Sequence, residues 1–222
     1  MSNTPKAYFF DLDGTLVETA PEIADAVNDT LRHFNWPEVS QQQVNDWIGH
    51  GTRTLLIQAM AWATQSTTDQ VSQGEDLQRA LPVFDGHYQA RCGTRSALYP
   101  HVRETLLALR EQGCKLAVIT NKEGRYTDTV LRVHDLHPLF DTVVSGDSFA
   151  VKKPDPTSIN DCLTRWGIAA SDALFIGDSQ IDAATARNAG VPVWLLPYGY
   201  NMGESVHDCQ PDRVIDDFTA LV

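Results

Sequence analysis

From about Ser96 onward, short apolar runs alternate with amphipathic stretches of helical length, and this alternation constrains the fold more than any other feature. Lys115–Thr120, Thr142–Ser145, Ala173–Gly177 and Pro192–Leu196 read as strands. Between and before them, Val102–Gln112, Gly124–His134, Thr157–Trp166 and Ile181–Ala189 read as helices, two of them stopped by Gly113 and Gly167. Strands joined by whole helices rather than tight turns pair in parallel, and helices then cover both faces of the sheet. Tyr8-Phe9-Phe10 supplies a further buried strand near the other end of the sequence.

The intervening stretch has helical periodicity and few strand signals. A helix opened by Pro21 places Ile23, Ala26, Val27, Leu31 and Phe34 on one side, and Trp36-Pro37 ends it. Ser40 caps a second helix reaching Ile48, Gly49-His50-Gly51 is a turn, and Thr52–Ala63 is a third helix. Asp76–Arg91 makes a fourth, with Pro82 inside it as a candidate kink. The expected fold is therefore α/β: a Rossmann-like parallel sheet core with an inserted α-helical cap. Residues 1–16 and 93–222 form the core and residues 17–92 the four-helix cap.

Polar residues collect where the apolar strands end. The first strand runs into Asp11 and Asp13, whose i, i+2 spacing in an extended segment puts both side chains on one face. Two such carboxylates repel unless a cation lies between them, which makes a hard-metal site with one carboxylate free to act as a nucleophile. The next strand ends in Thr120-Asn121; Lys152-Lys153-Pro154 follows Val143-Val144; Asp178-Ser179 ends another, with Asp182 one turn into the helix beyond. Ligands of open α/β sheets bind at these carboxyl ends. Carboxylates, a hydroxyl, an amide and an ammonium together suit Mg²⁺ plus phosphate. A calcium loop is disfavoured, because Thr15 and Leu16 stand where it needs Asp or Asn and Gly.

Charge narrows the partners. The 222 residues carry a net charge of −12, which repels nucleic acid, and an anionic substrate must be attracted locally. No apolar run is long enough to span a bilayer, so no membrane partner is expected. The N-terminal residues lack a leader pattern, and Cys92, Cys114, Cys162 and Cys209 form no C-x-x-C pair, so a cytoplasmic protein with reduced thiols is expected. His134-x-x-His137 has metal-like spacing but no evident third ligand, and reads as two exposed histidines.

Asp11-x-Asp13-Gly14-Thr15, Thr120-Asn121, Lys153-Pro154 and Gly177-Asp178-Ser179-x-x-Asp182, in that order, resemble the motifs of the haloacid-dehalogenase-like hydrolase superfamily. Leu98-Tyr99-Pro100, Thr120-Asn121-Lys122, Ser145-Gly146-Asp147-Ser148, Lys152–Pro156, Tyr198–Gly203 and Pro211–Asp216 look like the phosphoglycolate phosphatases within it. His101 departs from that pattern, standing where the subfamily commonly has Gly. The resemblance implies Mg²⁺-dependent hydrolysis of a small anionic phosphomonoester, 2-phosphoglycolate first, through an aspartyl-phosphate. It makes Asp11 the nucleophile and Asp13 the general acid and base. Asp11, the Asp13 backbone carbonyl and Asp178 would hold the metal, Asp182 would support them from behind, and Thr120, Asn121 and Lys153 would fix the phosphoryl oxygens. His50 or Arg53, in the loop that resembles the leaving-group reader of the cap, would meet a substrate carboxylate. The rivals are another sugar-acid or sugar phosphate phosphatase, a phosphosugar mutase, a metal-free dehalogenase, against which Asp13 argues, and a receiver-like phospho-accepting signalling module, against which the large insertion argues. The sequence suggests no role for Tyr198–Gly203 beyond a loop after the last parallel strand.

Overall fold

The computed structural model describes residues 4–222; residues 1–3, where the leader reading begins, lie outside the described residues. Six strands form one parallel sheet: β1 (Ala7–Phe10), β4 (Lys115–Ile119), β5 (Thr142–Val144), β6 (Ala173–Gly177), β7 (Val193–Leu195) and β8 (Arg213–Val214). Their order is β5-β4-β1-β6-β7-β8, so β1 lies between β4 and β6. Phe10 is in register with Val118 on one side and Ile176 on the other. All four residues of β1 are buried. Alternation splits them: Tyr8 and Phe10 join the apolar cluster on one face, Ala7 and Phe9 the cluster on the other. Phe9 stacks on Trp166 and Phe175, with ring centroids 5.7 and 6.5 Å apart. Helices α6 (Val102–Glu111), α7 (Gly124–Val133), α8 (Thr157–Trp166) and α9 (Gln180–Ala189) make the crossovers.

Five helices are inserted after β1: α1 (Ala20–His33), α2 (Gln41–Trp47), α3 (Thr52–Thr64), α4 (Thr68–Gln73) and α5 (Glu75–Arg91). The predicted α1 stripe of Ile23, Ala26, Val27 and Leu31 is buried. The sequence reading expects four helices here. It misses α4, whose polar run buries only Val71 and is held by a Thr67–Gln70 capping box. Pro82 sits inside α5 without ending it. The chain enters and leaves the insert through a short antiparallel pair, β2 (Val17–Glu18) and β3 (Ala97–Leu98). Two residues each are too few for an alternation pattern, so these strands are also unexpected, as is β8 at the sheet edge. Glu22, fully buried, secures the returning chain: its Oε2 accepts hydrogen bonds from the backbone N–H groups of Gly93, Arg95 and Ser96 at 2.9, 3.2 and 3.1 Å. No helix among the described residues is long and apolar enough to cross a membrane.

Candidate active site

The parallel ladder carries its strand ends to one rim. The Asp11 N–H still donates to Ile176 O at 3.0 Å, so the first carboxylate sits at the head of the central strand. The chain then turns at Gly14, whose φ of +83° lies in the left-handed region that favours glycine. This turn returns Thr15 to the site, where its Oγ1 donates to Asp178 Oδ1 at 2.6 Å. Asp178 directly follows β6, and Asp182 is the third residue of α9, in a reciprocal capping box with Ser179.

Asp11, Asp178 and Asp182 are all buried and each places a carboxylate oxygen within 4.8 Å of the others. Asp182 is fully occupied. Its Oδ2 accepts from the Asp178 N–H, the Ser179 N–H and the Ser179 hydroxyl at 3.1, 3.1 and 2.7 Å, and its Oδ1 from Lys153 Nζ at 2.7 Å. Lys153 also reaches Asp11 Oδ1 at 2.8 Å, and the Leu12 N–H donates to that same oxygen at 2.7 Å. Burial, reinforced by Asp182 and Asp13 and opposed by Lys153, raises the Asp11 pKa to about 7. Burial, then Asp182 and Asp11, drives that of Asp178 well above the usual carboxylate range. Burial works against the charge of Lys153, but Asp11 and Asp182 outweigh it and raise its pKa.

This donor set fits a divalent cation. Of the three buried carboxylates, Asp11 and Asp182 share the Lys153 ammonium, which leaves the cluster two negative charges when all are ionised. Asp178 also packs directly against two glycines. A Cβ on Gly14 or Gly199 would lie 2.3 or 2.2 Å from Asp178 Oδ2. Asp11 and Asp178 are the carboxylates that would hold such an ion, with Asp182 fixing both Lys153 and the start of α9.

Asp13 points away from this cluster. One of its oxygens accepts from Thr19 Oγ1 at 2.7 Å, and Lys122 Nζ lies 2.9 and 3.0 Å from its two oxygens. Lys122, 4% exposed, also donates to the phenol of Tyr88 from α5. Burial disfavours the charge on Lys122, yet Asp13 and the groups around it raise its pKa. Neither Lys122 nor Tyr88 is assigned a role by the sequence reading. Lys122 stands in a quoted motif, but nothing local shows that it meets Asp13, and Tyr88 reads only as a helix residue.

A cavity opens over this rim. Its floor is Asp11, Asp13 and Thr120-Asn121-Lys122, and its roof is Ile23, Ile48, Leu55, Gly49, Gly51 and Thr52. Asn121 lines this cavity, and its side-chain N–H groups donate to Gly49 O and Lys153 O at 3.0 and 3.1 Å, so the amide clamps two loops. His50 and Arg53 are exposed and outside the lining. The i, i+3 spacing that turns Thr52 and Leu55 to the cavity rotates Arg53 away from it.

The Tyr198–Gly203 loop turns out to brace the site. The Tyr200 N–H donates to Asp178 Oδ2 at 2.5 Å, while its phenol accepts from the Ala20 N–H at 3.1 Å, where α1 begins. The Tyr198 phenol donates to Thr15 O at 3.1 Å, and its ring packs on Tyr99, just past β3, at a centroid distance of 4.1 Å.

Comparison with known proteins agrees with this architecture. A profile of haloacid dehalogenase-like hydrolases matches residues 8–196. A phosphoglycolate phosphatase of Aliivibrio fischeri is 38% identical over 219 residues, covering 98% of this chain and 95% of that protein. One from Haemophilus influenzae is 36% identical over 222 residues, covering 100% and 99%. The crystal structure of a protein from Haemophilus somnus, described as a predicted phosphoglycolate phosphatase, superposes with a TM-score of 0.92 at 35% identity, covering 98% of this chain and 96% of that one. The chain belongs to the haloacid dehalogenase-like hydrolase family, among relatives that carry the name phosphoglycolate phosphatase.

Proposed function

We propose that this protein is a Mg²⁺-dependent phosphatase that hydrolyses a small carboxylated phosphomonoester, 2-phosphoglycolate foremost, through a phosphorylated Asp11. The observation that carries the reading is the placement of Asp11. It heads the central strand beside a buried acidic cluster, and two donors hold its Oδ1, which leaves Oδ2 to attack phosphorus. Phosphoryl transfer needs alignment and charge neutralisation more than a strong nucleophile. Asp11, Asp178 and the Asp13 backbone carbonyl would hold the ion. When bound, it supplies positive charge against the phosphoryl oxygens. Lys153 adds its ammonium beside Asp11, and Thr120 lines the cavity floor on the same side.

Asp13 then acts at the leaving group. It protonates the departing alkoxide and afterwards takes a proton from the water that attacks the acyl phosphate. Asp182 orients Lys153. Residues 1–16 and 93–222 serve as the catalytic core, and residues 17–92 as a cap that opens to admit substrate and closes to exclude water. Four contacts favour this reading of the insert: Asn121 to Gly49 O, Lys152 Nζ to His50 O at 3.3 Å, Thr52 to Glu123, and Tyr88 to Lys122.

The test is release of inorganic phosphate from a panel of phosphomonoesters with and without Mg²⁺. Metal-dependent turnover with 2-phosphoglycolate among the best substrates is expected. An isomerised sugar phosphate in place of free phosphate would make the protein a mutase. Asp11→Asn should abolish both turnover and the acid-quenched phosphoenzyme; label trapped in that variant would exclude Asp11 as nucleophile.

A further inference from the structure

The cavity has an unassigned cation. Thr120 and Asp11, with Lys153 beside them, serve the phosphoryl end, whereas Asp13 serves the leaving-group oxygen. Whatever sits against Asp13 is therefore next to the leaving group. Among the described residues lining the cavity, Lys122 is the one that carries a positive charge. Its three N–H bonds are matched by three acceptors, the two oxygens of Asp13 and the phenol of Tyr88.

We infer that Lys122 is the specificity residue of this site: its ammonium, held over the leaving-group side of the cavity by Tyr88, binds the carboxylate of the substrate. The inference rests on the phosphatase reading above and names how its substrate class is selected. When the ester enters, its carboxylate accepts one of the two hydrogen bonds that Lys122 otherwise gives to Asp13. The other keeps the lysine anchored.

Three observations favour this role over that of a mere counter-ion. The chain carries a net charge of −12, so a substrate bearing a carboxylate as well as a phosphate needs a dedicated cation near each. Lys153 cannot serve both ends, since Asp11 and Asp182 hold it at 2.8 and 2.7 Å. Of the remaining roof side chains, Ile23, Ile48 and Leu55 are apolar and attract no anion, and the Thr52 hydroxyl is given to Glu123. Nearby, Lys152 donates to His50 O, but it is exposed, where solvent weakens its pull. Burial makes the difference: a charge-assisted hydrogen bond in a water-poor cavity discriminates strongly against a ligand lacking its partner.

The test compares 2-phosphoglycolate with ethyl phosphate, which has the same two-carbon leaving group without the carboxylate. The ratio of their kcat/KM values is measured for the wild type, Lys122→Met, Lys122→Arg and Lys152→Met. Because Asp11 and Asp13 act on both esters, the ratio isolates recognition of the carboxylate. Lys122→Met should lower the wild-type ratio by about 10- to 100-fold, chiefly through KM for 2-phosphoglycolate. Lys122→Arg should recover part of it, and Lys152→Met should leave it within about 2-fold. Competitive inhibition by glycolate should weaken in parallel in Lys122→Met. If that variant does not fold, Lys122→Gln carries the same comparison. An unchanged ratio in a folded Lys122 variant, or a loss confined to Lys152→Met, overturns the assignment of Lys122 while leaving the phosphatase reading intact. A wild-type enzyme that hydrolyses both esters equally would instead remove the carboxylate preference, and this inference with it.

Discussion

Asp182 has no exposed surface, and both of its oxygens are used: one for Lys153, the other for the amides of Asp178 and Ser179 and the Ser179 hydroxyl. Asparagine has the same shape but only one acceptor oxygen, so Asp182→Asn must turn N–H groups toward either the ammonium or the three donors. Removing one partner of a buried charged network costs about 3–5 kcal/mol. Asp182→Asn should therefore lose stability of that order in urea titrations and bind Mg²⁺ at least about tenfold more weakly in calorimetry. A variant with wild-type stability and metal affinity would deny Asp182 its supporting role.

At this scale the sequence shows where chemistry concentrates, because strand register alone puts Asp11, Thr120 and Asp178 at the same rim. What register cannot reveal is which way an amide turns, or what a lysine meets across the fold. Asn121 is spent on two carbonyls, and the Lys122–Asp13–Tyr88 contact joins residues from a strand end, a turn and a helix far apart in the chain.

The elements were legible in proportion to the apolar surface that they bury. α1 and the five-residue strands β4 and β6 carry clear patterns. α4 buries one valine, and β2, β3 and β8 are two residues long, so their existence depends on tertiary pairing that no local pattern encodes. Pro82 inside α5 shows the same override in reverse: packing of the helix outweighs a local breaker. Another residue of α5 offers a simple measurement. Gly86 lies in the helix interior with nothing within 4 Å of where a Cβ would stand. Gly86→Ala should stabilise the protein by about 0.5–1 kcal/mol by reducing the freedom of the unfolded chain. The shift in urea midpoint at constant slope reports it, and a destabilised variant would mean that α5 is not a regular helix there.

For the whole molecule, the buried acids make stability depend on pH and metal together. The folded-state pKa of Asp11 is raised, from the ordinary 3.8 to about 7. Between those values the folded protein binds more protons than the unfolded chain, so the contribution of Asp11 to stability falls as pH rises. It is fully present below about pH 4 and gone above about pH 7. Metal-free protein in EDTA should thus lose melting temperature to this group from pH 5 to pH 7.5. Mg²⁺ should raise the melting temperature more at pH 7.5 than at pH 5, because it meets ionised carboxylates only at the higher pH. Equal gains at both pH values would mean that the ion binds elsewhere.

Tyr200 spans that metal site and the entry to the helical insert, its backbone holding Asp178 and its phenol holding Ala20. Tyr99, at the exit from the insert, packs its ring on Tyr198 of the same loop at a centroid distance of 4.1 Å. The entry and exit segments of the insert are therefore moored to a single loop, one through Tyr200 and the other through Tyr198. A swing of the insert of the kind proposed above would have to slip the Ala20 mooring or tug the carboxylate behind it, which would tie its movement to the candidate ion seat.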